Sequence, residues 1–137
     1  MKIAVIDGLG GGLGSQIISR FKEKNLDKVE LIALGTNAQA TSRMISQGAD
    51  RGATGENAIQ VMSSEVDLII GPVGIIIPNS MMGEVSTTIA ETIAGSEAEK
   101  FLLSNRQPHV NFIGMADYSL NEMIDELITE VNKYIST

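Results

Sequence analysis

Apolar positions fall in short runs separated by stretches of helical period. Residues 2–6 are apolar with little alternation, the pattern of a strand covered on both faces. After the glycine-rich stretch Asp7–Ser15, Leu13, Ile17, Ile18 and Phe21 share one helical face. Residues 24–28 read as a polar turn and 29–34 as a second strand, closed by Gly35, Thr36 and Asn37. Asn37 is placed to cap a helix over 38–47 that stops at Gly48. A third strand is expected around 49–53, a helix capped by Thr54 running to about Ser64, and a fourth strand over 66–70. Gly71-Pro72-Val73-Gly74 ends that strand, Ile75–Pro78 reads as buried and extended, and a helix is expected from about Ser80 to Ala94, stopped by Gly95. Ser96 opens a turn, 100–103 form a strand, and 104–108 turn into the apolar run 110–113. The last helix is the clearest element. Ser119 and Glu122 form a capping box, and Leu120, Met123, Ile124, Leu127, Ile128, Val131 and Ile135 repeat at helical spacing.

Strands alternating with helices predict a mostly parallel sheet with right-handed crossovers and helices on both faces. The expected fold is α/β, a single three-layer Rossmann-like domain over residues 1–137. Hydrophobic residues make up 43% of the chain and aromatics 4%, so the core is aliphatic.

Composition narrows the chemistry. The chain has no cysteine, which excludes disulfides, thiolate zinc sites and a cysteine nucleophile. The opening residues are too short for a signal-peptide apolar region and no run approaches a membrane span, so a cytoplasmic protein without membrane contact is expected. The net charge is −7, and Lys22, Lys24 and Lys28 are the only basic cluster. They read as a solvated face, so nucleic acid is not an expected partner, although one bound nucleotide is compatible.

Asp7 is followed by Gly8, Gly10, Gly11, Gly12 and Gly14. Glycine lets backbone N–H groups close on an anion, and the start of the following helix adds unpaired N–H groups and the positive end of its dipole. Strand, glycine turn and helix together predict a phosphate cradle; the same turn also reads as a tight crossover without a ligand. The match to G-x-G-x-x-G is imperfect, because Leu13 stands at the sixth position and Gly14 comes one residue late. Thr36 and Asn37 stand where a dinucleotide-binding fold places an acidic ribose reader, which weakens an NAD reading while leaving a nucleotide or dinucleotide as candidate cofactor. No lysine follows Gly14, which excludes a P-loop.

Ligands of open parallel sheets sit beyond the carboxyl ends of the strands. The segments expected there are Asp7–Gly14, Gly35–Asn37, Asp50–Thr54, Gly71–Gly74 and Asn105–Arg106. Arg51 is the leading cation for a phosphate, against an ion pair with Asp50 or Glu56, and Arg106 is a second candidate. Thr54 reads first as a cap and second as a ligand contact. Asp7 is expected to bond a ribose, hold magnesium or cap the turn. Glu84 reads as a general base if buried, or as a first-turn carboxylate, and His109, the single histidine, as a catalytic or structural group. No His or carboxylate spacing predicts a metal site. The block Ile75–Pro78 with Met81 and Met82 reads as core, or as a partner or subunit surface that would make a homo-oligomer.

The first 40 or so residues are similar to the bacterial tubulin homologue of cell division, in the GGG turn and Asn37-Ala38-Gln39-Ala40. That family's second Gly/Thr-rich box is missing after the fourth strand, where Gly71-Pro72-Val73-Gly74 stands, and the chain has no room for its second domain. Over most of its length the chain resembles instead a bacterial family of short proteins classed as a domain of unknown function. The resemblance lies in Gly8–Gly14, Ala33–Ala38, Gly48–Asn57, Gly71–Ile75 and Gly83–Ser86. It implies a Rossmann-like fold and no assigned activity. Where relatives are expected to carry a cysteine, this chain has His109. Three functions stay open: a domain binding a nucleotide or other phosphorylated metabolite, a small enzyme using Glu84 or His109 in the same pocket, and a regulatory or scaffold protein with a vestigial glycine turn.

Overall fold

The strand that begins the chain lies at the centre of the sheet. The computed structural model describes residues 1–24 and 29–137. The expected 24–28 turn and Lys28 fall largely or wholly outside them. Strands β1 (Lys2–Asp7), β2 (Glu30–Gly35), β3 (Arg51–Thr54), β4 (Leu68–Pro72) and β5 (Glu99–Leu103) form one sheet in the order β3-β2-β1-β4-β5, with every pairing parallel. The helices are α1 (Gly12–Glu23), α2 (Ala38–Ser46), α3 (Glu56–Ser63), α4 (Thr87–Ala94) and α5 (Leu120–Ser136). The fold is the expected three-layer Rossmann-like arrangement, and the expected third strand is present as β3.

Period-two alternation sorts the strand residues between two cores. Ile3, Val5, Leu31, Ala33, Leu68 and Ile70 pack beneath α1, α2 and α5. Ala4, Ile6, Ile32, Leu34 and Ile69 pack beneath α3 and α4. The capping box of α5 forms as read, with Ser119 Oγ accepting from Glu122 N and Glu122 Oε1 from Ser119 N. Arg20 on α1 pairs with Asp125 and ties that helix to its neighbour.

Successive connections run to one side of β1 until β3, and then to the other side from β4. The loops after β1 and β4 therefore diverge, which opens a crevice at the carboxyl edge between them. The backbones beside that crevice are very close: a methyl on Gly71 would run into the Ile6 carbonyl oxygen.

Several local expectations are overturned. Gly55, not Thr54, precedes the first turn of α3 and no side chain caps it; the Thr54 hydroxyl meets Thr41 Oγ1 at 2.8 Å instead. Val73–Ile76 is a short 3-10 helix rather than an extended piece. The helix expected from Ser80 begins only at Thr87, capped by Ser86. Asn79, Met81, Met82 and Gly83 all have positive φ, which α-helix does not permit. The apolar run 110–113 lies exposed. Gly71→Ala should lower stability by about 1–3 kcal/mol in urea unfolding, because the Ile6 backbone cannot yield without disturbing the β1–β4 ladder.

Candidate functional site

Asp7 is the last residue of β1, and its carboxylate turns back under the glycine loop. Oδ1 accepts the Gly8 N–H at 2.8 Å and Oδ2 the Gly14 N–H at 2.7 Å. Gly14 is the third residue of α1, so Asp7 supplies the anion that a helix N-terminus favours. Burial drives the Asp7 pKa up. The Gly14 and Gly8 bonds pull against that, the nearby Glu84 charge adds to it, Arg43 opposes it, and the net shift is upward.

Three glycines of the turn are explained by internal packing. Gly11 has φ of 72°, donates its N–H to Gly8 O, and leaves no room for a Cβ against the Ala40 backbone. A Cβ on Gly14 would press on Met44 and Asp7, and one on Gly8 would strike Thr36, Met81 and Glu84. Gly10 and Gly12 differ. Neither has positive φ, and a Cβ at either would meet only the Arg43 guanidinium, at 3.8 and 3.5 Å.

Glu84 closes the other side of the crevice. Its Oε1 accepts from Thr36 Oγ1 at 2.6 Å, from Leu9 N at 2.8 Å and from Asn37 Nδ2 at 2.8 Å. Partial burial acts to raise its pKa, but the Thr36, Leu9 and Asn37 bonds outweigh it and hold the carboxyl below its ordinary value. Asn37 also donates to Leu9 O and caps α2 by accepting from Ala40 N. One carboxylate thus staples the loop after β4 to the turns after β1 and β2.

The N–H groups of Gly10, Gly12 and Leu13 have no acceptor among the described residues. Beside them lies Arg43 of α2, whose Nη1 approaches Gly10 O at 3.4 Å and which makes no ion pair among the described residues. Sequence reasoning missed Arg43, because an exposed arginine in the last turn of a helix reads as a solvated face. The approach of α2 to the start of α1, visible only in three dimensions, brings it over the turn.

Arg51 lies elsewhere. It opens β3 in register with Ile32, three residues before the Thr54–Gly35 pair at the carboxyl edge, or about 10 Å along the strand. Its guanidinium pairs with Glu30 at 2.8 Å, not with Asp50 or Glu56. Asp50 instead accepts the Leu31 N–H. Gly71 and Gly74 follow the crevice on the β4 side, with Gly74 packed against the Gln107 side chain. Arg106 and His109 stand exposed on the loop after β5. The structure therefore brings together Asp7, the glycines, Thr36, Asn37 and Glu84, with Arg43 added, and leaves Arg51 outside. Among the described residues, no group of three or more His, Asp or Glu side chains is arranged to hold a metal ion, and no helix is long and apolar enough to cross a membrane.

The family model described as "Domain of unknown function (DUF3842)" matches residues 2–136. The chain belongs to this family. No curated protein matches the chain. Among solved structures, this DUF3842 chain is similar to a dodecameric FMN-dependent UbiX-like decarboxylase from Escherichia coli O157:H7. Its identity is 13% and its TM-score 0.49, with 100% of this chain and 95% of that one covered.

Two predictions follow from the carboxylates. Asp7→Ala should cost about 1–3 kcal/mol net, because two buried N–H groups lose their acceptor, partly offset by relief of carboxylate burial. In urea unfolding between about pH 3 and pH 8, the two acids should act with opposite sign. Glu84 has a lowered folded pKa, so its advantage over Gln in Glu84→Gln is full above the ordinary glutamate range. That advantage is lost as pH falls through the lowered value. Asp7 has a raised folded pKa, so its ionisation subtracts stability as pH rises from the ordinary aspartate range through the raised value.

Proposed function

We propose that the carboxyl edge of the sheet binds a small phosphorylated metabolite, a nucleotide first among the classes, through the amino end of α1. The observation that carries this reading is the contrast within the glycine turn. Packing demands Gly8, Gly11 and Gly14, and the Asp7 and Glu84 carboxylates take the N–H groups of Gly8, Leu9 and Gly14. Nothing internal demands Gly10 or Gly12, and their N–H groups, with that of Leu13, remain to donate. A phosphate there would meet three N–H groups, the positive end of the α1 dipole and the Arg43 guanidinium. The Asp7 and Glu84 charges confine it to this outer rim, away from Gly14. Thr36 and Asn37, held by Glu84, form the wall beside which a ribose or other hydroxylated portion would lie.

Arg43 takes the phosphate-gripping part in this reading, and Arg51 takes none. An acid–base role falls to Asp7 before Glu84, because burial raises the proton affinity of Asp7 whereas three donors lower that of Glu84.

A thermal-shift panel of nucleotides, dinucleotides, flavins, S-adenosylmethionine and sugar phosphates tests the proposal. A ligand at a hundred times its Kd should stabilise the fold by about 2.7 kcal/mol. Arg43→Ala should weaken that ligand about tenfold or more, since a charged hydrogen-bonding partner is lost. Gly12→Ala, which the fold has room for, should weaken it by covering the N–H groups. Arg51→Ala should leave affinity unchanged. Loss of affinity in Arg51→Ala with retention in Arg43→Ala would overturn the proposal, as would a flat panel on folded protein.

A further inference from the structure

The loop joining β5 to α5 carries several apolar side chains exposed to solvent. Every residue from 108 to 122 is exposed. Among them Phe112, Met115 and Tyr118 show large apolar surface to solvent, and Ile113 is 91% exposed. Met82, on the loop after β4, is a single exposed side chain at 94%, whereas Ile75 and Val85 of the apolar block around it are buried. The expected partner surface at that block is therefore mostly core, and the open apolar surface lies on the loop after β5.

Beside this loop runs a groove of about 350 Å³ between the edge strand β5 and helix α5. Phe101, Leu103, Met123 and Leu127 line it on the protein side, and Met115 and Tyr118 wall it on the loop side. The tip Phe112–Ile113 comes just before that wall and does not line the groove of its own chain. Arg106, at the root of the loop, is exposed, and Glu126 of α5 stands on the groove rim; neither makes an ion pair among the described residues, whereas Glu130 beside it is paired with Lys133 at 3.2 Å.

We propose that the loop is a dimerisation arm: the Phe112–Ile113 tip of one copy enters the β5–α5 groove of a second copy, and the second copy does the same in return. A two-fold interface requires one patch that is complementary to itself. This patch carries an exposed apolar tip and an apolar groove side by side, and a cation, Arg106, beside an anion, Glu126. The second copy is thus the occupant that both the shape and the charge fit. The scale also fits, since a stable interface takes about 800 Å² and roughly 20–30 residues from each partner, and the exposed run 108–122 with the groove rim supplies that length of chain. The dyad places Arg106 of each copy against Glu126 of the other. It also covers the outer edge of β5, which an isolated chain would leave unpaired.

Sedimentation equilibrium of the full chain tests this. The intact protein should show twice the 14.6 kDa chain mass. Ile113→Asp, at a position too exposed to disturb folding, should raise the dimer dissociation constant about tenfold or more, with an unchanged far-UV spectrum. Met82→Asp, a control at an equally exposed apolar site, should leave the dimer intact. Arg106→Glu should weaken the dimer, and adding Glu126→Arg to it should restore the association. A monomer at every concentration into the millimolar range would overturn the proposal. So would an assembly that survives Ile113→Asp and Arg106→Glu, or one that Met82→Asp dissolves.

Discussion

The carboxylate of Asp7 holds the end of the central strand to the start of the first helix. Its two oxygens accept the N–H groups on either side of the glycine turn, at Gly8 and at Gly14. That contact fixes the height at which α1 leaves the sheet, and the packing of Gly11 on the Ala40 backbone then fixes α2 against α1. Through α2, Asn37 and Arg43 gain their places over the turn. Glu84 does the equivalent work from the β4 side, reaching three donors on two other loops with a single oxygen. The carboxyl edge is thus organised by two internal anions placed at N–H groups that a glycine turn would otherwise offer to a ligand.

This arrangement changes what a glycine-rich turn means. Its glycines are not a uniform signal of phosphate binding, because tight helix packing and an internal carboxylate account for three of the five. The positions that packing leaves unexplained carry the functional argument. Confinement of the free donors to Gly10, Gly12 and Leu13 favours a ligand that touches the turn at one phosphate rather than along a pyrophosphate, which accords with the extra residue in the turn relative to G-x-G-x-x-G.

Much of the fold was legible in the chain because period-two and helical patterns report burial directly. The alternation of Ile3, Ala4, Val5 and Ile6 between two cores and the stripe of Ile124, Leu127, Ile128 and Val131 on α5 are such cases. The short β3 was legible only in place, expected around 49–53 and found at Arg51–Thr54. The helix expected from Ser80 was not, because apolar residues such as Met81 and Met82 are placed in left-handed turns by the need to bring Glu84 back to Leu9, Thr36 and Asn37, residues 47 to 75 positions away. Strand order was invisible for the same kind of reason. At the site, Asp7, Thr36, Asn37 and Glu84 were legible as residues, but the hydrogen bonds joining them were not. Arg51 lies in a non-helical stretch beside glycine, whereas Arg43 reaches the turn from a helix whose approach depends on Gly11 and Ala40.

Backbone amide chemical shifts during titration with the nucleotide that most stabilises the protein test the central claim most directly. The account predicts that the Gly10, Gly12 and Leu13 amides and the Arg43 side chain move first and furthest, while Gly8 and Gly14 stay on their Asp7 oxygens. Movement centred on Arg51 and β3, or displacement of Gly8 and Gly14 with Gly10 and Gly12 unmoved, would contradict it.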